Sequence, residues 1–248
     1  MEHGTQMKTP VGIHIRGSVS INDTQLIASL DMDIKAGQWS CLLGPSGVGK
    51  STLLYLIADL ASHINFEGTI TTDDGLPLAG RLSYMAQTDL LMPWLSILDN
   101  TLIGSRLRRE NPHIEKAKDL LESLGLGALM HRTPSELSGG QRQRAALART
   151  LMEEREIVLL DEPFSALDAG TRAQMQELAS EWLADRTVLH VTHDPAEAAR
   201  LGEQIWLLDK HGLREIETPT AAIARPVDDP QTLACQGQLL KLLREVDA

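Results

Sequence analysis

WSCLLGPSGVGKSTLLYLIADL, residues 39–60, changes character twice. Trp39–Leu43 is an apolar run of the kind that forms a strand buried on both faces. The loop Gly44, Pro45, Ser46, Gly47, Val48, Gly49 follows, and Lys50, Ser51 and Thr52 open a segment in which Leu53, Leu54, Ile57 and Leu60 share one helical face. Gly44, Gly49, Lys50 and Ser51 fit the spacing GxxxxGK[ST], in the strand-to-helix context that the spacing requires. With glycine at about 7% of residues, a chance match in a chain of this length is on the order of one per cent, so a simple helix-capping turn is the weaker reading. The glycines let backbone N–H groups converge on phosphate oxygens at a helix N-terminus, where the helix dipole also favours anions. Lys50 would reach the β- and γ-phosphates, Ser51 would place its hydroxyl on Mg²⁺, and Thr52 would bond nearer the α-phosphate.

Two further segments end where this strand ends. EIVLLDEP (156–163) and RTVLHVTHD (186–194) are short apolar strands with a helical stretch between them, and strands alternating with helices imply a parallel sheet with its ligand site beyond the strands' carboxyl ends. Asp161 is the candidate Mg²⁺ ligand. Glu162 is the candidate general base, placed where Pro163 stops the strand and turns the chain. His193 reaches the same edge, where an imidazole can bond a γ-phosphate or an attacking water. His190, three positions earlier in a strand, points to the other face, which argues against a zinc pair.

Outward from this core, residues 11–34 alternate in the manner of an antiparallel sheet, EGTITTDDGLPLAG is rich in turn residues, and RLSYMAQ is another strand. Residues 90–150 look almost wholly helical and form an inserted subdomain. QIWLLDKHGLREI reads as a hairpin around Lys210, His211 and Gly212, followed by a helical tail of about 30 residues. The expected fold is therefore α/β: a P-loop ATPase core with a parallel sheet, an N-terminal antiparallel β-subdomain and an inserted α-helical subdomain. In this division a single domain covers 1–248, with core at 12–89 and 151–215, helices at 90–150 and a tail at 216–248.

Composition narrows the function classes. The 248 residues carry 23 Lys and Arg against 34 Asp and Glu, a net charge of −11 that disfavours nucleic acid as a partner. Charged residues at 23% and hydrophobic ones at 42% suit a folded globular protein. No apolar stretch approaches the roughly 18 residues of a spanning helix, and MEHGTQMKTP lacks the basic-then-apolar order of a secretion signal. Cys41 and Cys235 are too few for a disulfide framework, and a reducing cytosol is the expected compartment.

LSGGQRQRAALARTLMEE (137–154) resembles the signature motif of the ATP-binding cassette (ABC) ATPases. With the phosphate loop, EIVLLDEP, SALD (165–168) and VTHD (191–194), the resemblance extends over roughly residues 12–215. Ser138, Gly139 and Gly140 bare their backbone at a helix start, giving a second anion cradle without a lysine. The resemblance implies two chains head to tail about a two-fold axis, with Ser138–Gln141 of one touching ATP held by Lys50 of the other. It implies ATP and Mg²⁺ as ligands, Asp168 at the dimer interface, and Gln87 reaching both Mg²⁺ and the attacking water. The partner in that dimer would be a second copy or a closely related ATPase subunit. The resemblance also implies an integral-membrane permease, a solute-binding protein in the full system, and a position on the cytoplasmic face of the membrane. Leu90, Leu91, Met92 and Trp94 beside Pro93 offer apolar groups suited to gripping a short permease helix, although a core role is the plainer alternative. The region MAQTDLLMPWLSILDNTLIG is most similar to importers of the nitrate, sulfonate and taurine group, which includes carriers of thiamine pyrimidine precursors.

One family feature is missing. Members commonly stack an aromatic on the adenine, but residues 1–38 hold no Phe, Tyr or Trp, and the corresponding position falls near Ser20 or Ile21. Ile21, or the flat groups of Arg16 or His14, would have to serve, and Trp39 reads as core. RLRRE (106–110) reads as a solvated helix face rather than a headgroup contact. A soluble ABC ATPase acting on nucleic acid or ribosomes is the alternative class, and a P-loop kinase does not account for LSGGQRQR.

Overall fold

The computed structural model describes residues 9–22, 24–60 and 64–246, so residues 1–8 of the opening segment lie outside it. The first two strands, β1 (Ile13–Ile21) and β2 (Thr24–Ile34), pair antiparallel as their alternation predicts. Next come the buried β3 (Trp39–Leu43) and α1 (Lys50–Ile57). This helix stops short of Leu60, which is exposed rather than part of the apolar face.

The stretch read as turns contains a strand instead. β4 (Ile64–Thr72) pairs antiparallel with β1, completing a three-stranded sheet in the order β2-β1-β4. Gly68, which suggests a turn in the sequence, is required by close approach: a Cβ there would lie 2.1 Å from the Arg16 carbonyl oxygen. After β5 (Leu82–Met85) the inserted region holds α2 (Ile97–Thr101), α3 (Ile103–Leu107), α4 (Ile114–Ser123) and α5 (Gly139–Leu151), with 3₁₀ turns before α5. The chain returns to the core through β6 (Ile157–Asp161), α6 (Ala169–Trp182), β7 (Thr187–Thr192) and α7 (Pro195–Leu201). The predicted hairpin is present as β8 (Gln204–Asp209) and β9 (Gly212–Ile216).

The six-stranded sheet runs β5-β6-β7-β3-β8-β9, parallel except for the β8–β9 hairpin. Its period-two alternation feeds two cores. Cys41, Val158, Leu160 and Val188 face the layer that includes α5, α6 and α7, whereas Leu42, Ile157, Leu159 and Leu189 face α1 and the antiparallel sheet. Strands buried on both faces explain why these segments read as continuous apolar runs.

The tail is less helical than its composition suggests. Residues 217–229 are irregular, and only α8 (Pro230–Val246) is helical, beginning where Asp229 accepts from the Thr232 amide at 2.8 Å. Cys235 and Leu239 are buried and α8 packs against α7. Arg225 fixes this approach. Its guanidinium is 2% exposed and donates to the carbonyls of Ala199, Gly202, Pro219 and Ala221 at 2.8–3.0 Å, tying the tail to the end of α7. Replacing it would strand buried carbonyl acceptors. Arg225→Ala is therefore expected to cost about 3 kcal/mol of stability, read as a lower urea midpoint at unchanged slope.

Candidate active site

Sheet register sets the site. Leu43 pairs with Thr192 and Asp161 with Val191, so β3, β6 and β7 end level and deliver Gly44, Glu162 and His193 to one edge. Met85 lies opposite Leu160, and the chain beyond β5 brings Gln87 to the same place.

The phosphate loop depends on its glycines. At Gly44 a Cβ would lie 2.3 Å from the Leu208 carbonyl oxygen, and at Gly49 2.8 Å from Leu26 Cδ2. Gly47 and Gly49 adopt φ of 81° and 108°, left-handed values that a side chain resists. Gly49 also begins α1 with no side-chain cap, which leaves the first helical amides free for an anion. The Lys50 ammonium turns back into the loop, donating to the carbonyls of Gly44 at 2.9 Å and Pro45 at 2.7 Å. Burial lowers its pKa, against the pull of Glu162 and Asp161.

Asp161 is 2% exposed, and burial raises its pKa above the usual carboxylate value. The Ser51 and Tyr84 hydroxyls act against that rise, Tyr84 donating to Oδ2 at 3.4 Å, but among the described residues Oδ1 has no hydrogen-bond partner. An orphaned buried carboxylate oxygen near a serine hydroxyl fits part of the oxygen shell of a hard cation such as Mg²⁺.

Glu162 leaves β6 with φ of 49°, and its N–H donates to the Val191 carbonyl at 3.0 Å. One carboxylate oxygen accepts from Gln87 Nε2 at 3.1 Å and the other lies 3.0 Å from His193 Nδ1. The three residues proposed from sequence as water-handling groups thus form one cluster. Gln87 and Glu162 line a cavity of about 300 Å³ over the phosphate loop, whose wall also includes Ile21 and Leu26. His14 and Arg16 are not among its walls: His14 bonds Asp33 and Asp73, and Arg16 bonds Asp31 and Asp33. His190 and Trp39 are core residues, ring edge to ring face, with Phe164 packed on His190.

The signature segment is not brought to this cavity within one chain. Ser138 and Gly139 are exposed at the start of α5, and no residue of 138–141 lines the cavity. Ser138 caps the helix, its Oγ accepting from Gln141 N at 3.3 Å, while Gln141 Oε1 accepts from Ser138 N at 2.8 Å. The Gln141 side chain is therefore committed to the cap, leaving the Gly139–Gly140 backbone as the open cradle. Asp168 is likewise exposed and caps α6, and the Thr171 amide holds its carboxyl below the usual range.

The segment after Gln87 divides in two. Leu91 is buried and Met92 half-buried, but Leu90 and Trp94 are 59% and 74% exposed, with Leu107 of α3 at 77%. Arg149 of α5 holds this loop by donating to the Asp89 and Leu90 carbonyls, and Arg142 bonds the Asp89 carboxylate. The basic run at 106–110 is partly neutralised, Arg106 by Asp99 and Arg108 by Glu110 and Glu153.

The pattern of the ABC transporter family matches residues 27–165, from β2 to the turn after Glu162. The chain belongs to the ABC transporter family. It is 43% identical to an uncharacterized ABC transporter ATP-binding protein of Haemophilus influenzae, over 91% of this chain and 95% of that one. It is 42% identical to the aliphatic sulfonates import ATP-binding protein SsuB 1 of Rhodococcus jostii, over 91% and 90%. The corresponding protein SsuB of Delftia acidovorans is 38% identical over 93% of both chains. As a member of this family the chain is a transport ATPase subunit. No helix among the described residues is long and apolar enough to cross a membrane.

Sequence reasoning missed Leu26 and Tyr84, whose roles depend on contacts across the fold, and Gln143, whose place within LSGGQRQR was the only available signal. The closest steric constraint in the phosphate loop is at Gly44. Gly44→Ala is expected to cost about 1–3 kcal/mol, seen as a lower melting temperature, and to weaken nucleotide binding with it.

Proposed function

We propose that this chain is the ATP-hydrolysing subunit of an importer, working as a head-to-tail dimer on the cytoplasmic face of a membrane permease. The observation that carries this reading is the meeting of Gln87 and His193 on the two oxygens of Glu162 beside the phosphate loop, with the signature segment exposed outside the cavity. One chain holds the triphosphate cradle and the base. The Gly139–Gly140 backbone of a second copy would complete the site, so ATP joins the copies and its hydrolysis releases them.

Within the site Lys50 would leave the Gly44 and Pro45 carbonyls for the β- and γ-phosphates. Ser51 and Asp161, with Gln87 nearby, would hold Mg²⁺, which supplies charge neutralisation to the phosphates. Glu162 takes the proton of the attacking water while Gln87 and His193 keep its carboxylate aimed. Asp168, exposed at the head of α6, faces the partner copy.

Leu90 and Trp94 form the permease contact, because they are large, apolar and exposed on a loop that starts at Gln87 and is pinned by Arg142 and Arg149. A solute-binding protein would complete the system. The sulfonate importers among the relatives make aliphatic sulfonates the first solutes to test.

The adenine would rest between Ile21 and Leu26, aliphatic groups that offer no hydrogen bond to distinguish bases. ATP and GTP should therefore differ by less than about tenfold in kcat/KM when assayed side by side. Lys50→Ala is expected to weaken ATP binding itself. Glu162→Gln should keep binding but slow turnover by roughly 10² to 10⁴-fold and accumulate a dimer with Mg-ATP, measured by light scattering. A Glu162→Gln protein that binds ATP and stays monomeric, with permease present, would count against the shared site.

A further inference from the structure

Gln143 lies in α5, two residues past the Ser138–Gln141 segment, and is 6% exposed. Its side-chain amide is used at both ends. Nε2 donates to the Glu162 carbonyl at 3.0 Å and approaches Ser165 Oγ at 3.2 Å, while Oε1 accepts from the Ala166 amide at 2.8 Å. Gly140 brings α5 close enough for this: a Cβ there would already lie 3.2 Å from the Ala166 carbonyl oxygen.

Glu162 needs such support. A left-handed backbone is unfavourable for a residue with a side chain and persists only where its surroundings determine it. The Glu162 amide is fixed by Val191. Its carbonyl accepts from Gln143 Nε2, from Ser165 Oγ at 3.0 Å and from the Ser165 amide at 3.3 Å. The two Ser165 donors lie on the turn that Glu162 itself begins, so they move with it. Among the described residues Gln143 is the donor to this carbonyl from outside the turn, and its other end holds the same turn at Ala166.

We infer that Gln143 is a positioning residue for ATP hydrolysis: from the signature helix it sets the backbone of Glu162, and so the direction of the carboxylate, and holds the SALD turn against that helix. This rests on the proposed role of Glu162 as base. Gln143 is not among the residues that line the phosphate-loop cavity, so its removal should spare ATP affinity and lower turnover.

The test is a double-mutant cycle on the full-length chain, read by ATPase turnover and by ATP binding. Gln143→Glu keeps an acceptor for Ala166 and loses the donor to Glu162, and Gln143→Leu loses both. Melting curves identify any variant that does not fold. Each folded variant should lose about ten- to a hundredfold in kcat with ATP Kd changed less than about threefold. Glu→Gln at 162 should absorb the effect, so that adding Gln143→Glu to Glu162→Gln lowers the residual rate by less than about twofold. Unchanged kcat in the folded single variants, or an equal loss in the Glu162→Gln background, would overturn the inference. Full turnover by Glu162→Gln alone would overturn the assignment of the base, and this inference with it.

Discussion

The hydrogen bond from the Glu162 amide to Val191 joins the end of β6 to β7 just past the last paired residues, and the geometry of the site descends from it. Because Asp161 is still in register with Val191, its side chain stays in the buried layer, where one carboxylate oxygen meets no partner among the described residues. One residue later the backbone turns left-handed, and Glu162 swings its carboxylate out between Gln87 and His193. Two adjacent carboxylates thereby acquire different surroundings from a single change of backbone direction. Burial raises the Asp161 pKa, and the Glu162 carboxylate, partly exposed, is bonded at both oxygens.

The signature helix α5 is the second organising element. From its first turns Gln143 reaches the Glu162 turn, and from its flank Arg142 and Arg149 hold the loop that runs from Gln87 to Trp94. The exposed apolar pair Leu90 and Trp94 and the carboxylate of Glu162 are thus attached to one rigid rod. A displacement of that rod would be felt at both ends, which is the mechanical requirement for exchanging ATP chemistry with a membrane partner. The tail is attached at a different point: Arg225 binds the end of α7, which begins two residues after His193.

Much of this was legible in the chain. Continuous apolar runs flag strands buried on both faces, and the glycine spacing before Lys50 flags the loop, because steric exclusion leaves few other residues possible at Gly44 and Gly49. Gln87, Glu162 and His193 could be nominated because each follows a strand of one parallel sheet, whose carboxyl ends must share an edge. The errors have physical causes as well. β4 was hidden because Gly68 answers to the close approach of its paired strand β1 rather than to a turn. Leu60 fits the helical period, but α1 ends before it. Arg16 and His14 are chemically able to stack on a base, yet neighbouring carboxylates hold them elsewhere on the antiparallel sheet.

The sequence by itself determined the order of strand, loop and helix, the position of the glycine loop and the family, since these depend on local periodicity and on the spacing of a few residue types. Tertiary structure alone decided which side chains are shared between elements. It placed Leu26 against the phosphate loop, committed Gln141 to its own helix cap, and turned Gln143 toward the backbone of a residue nineteen positions away. Such contacts depend on strand register and helix rotation, which are set by the packing of the whole core and have no local pattern to announce them.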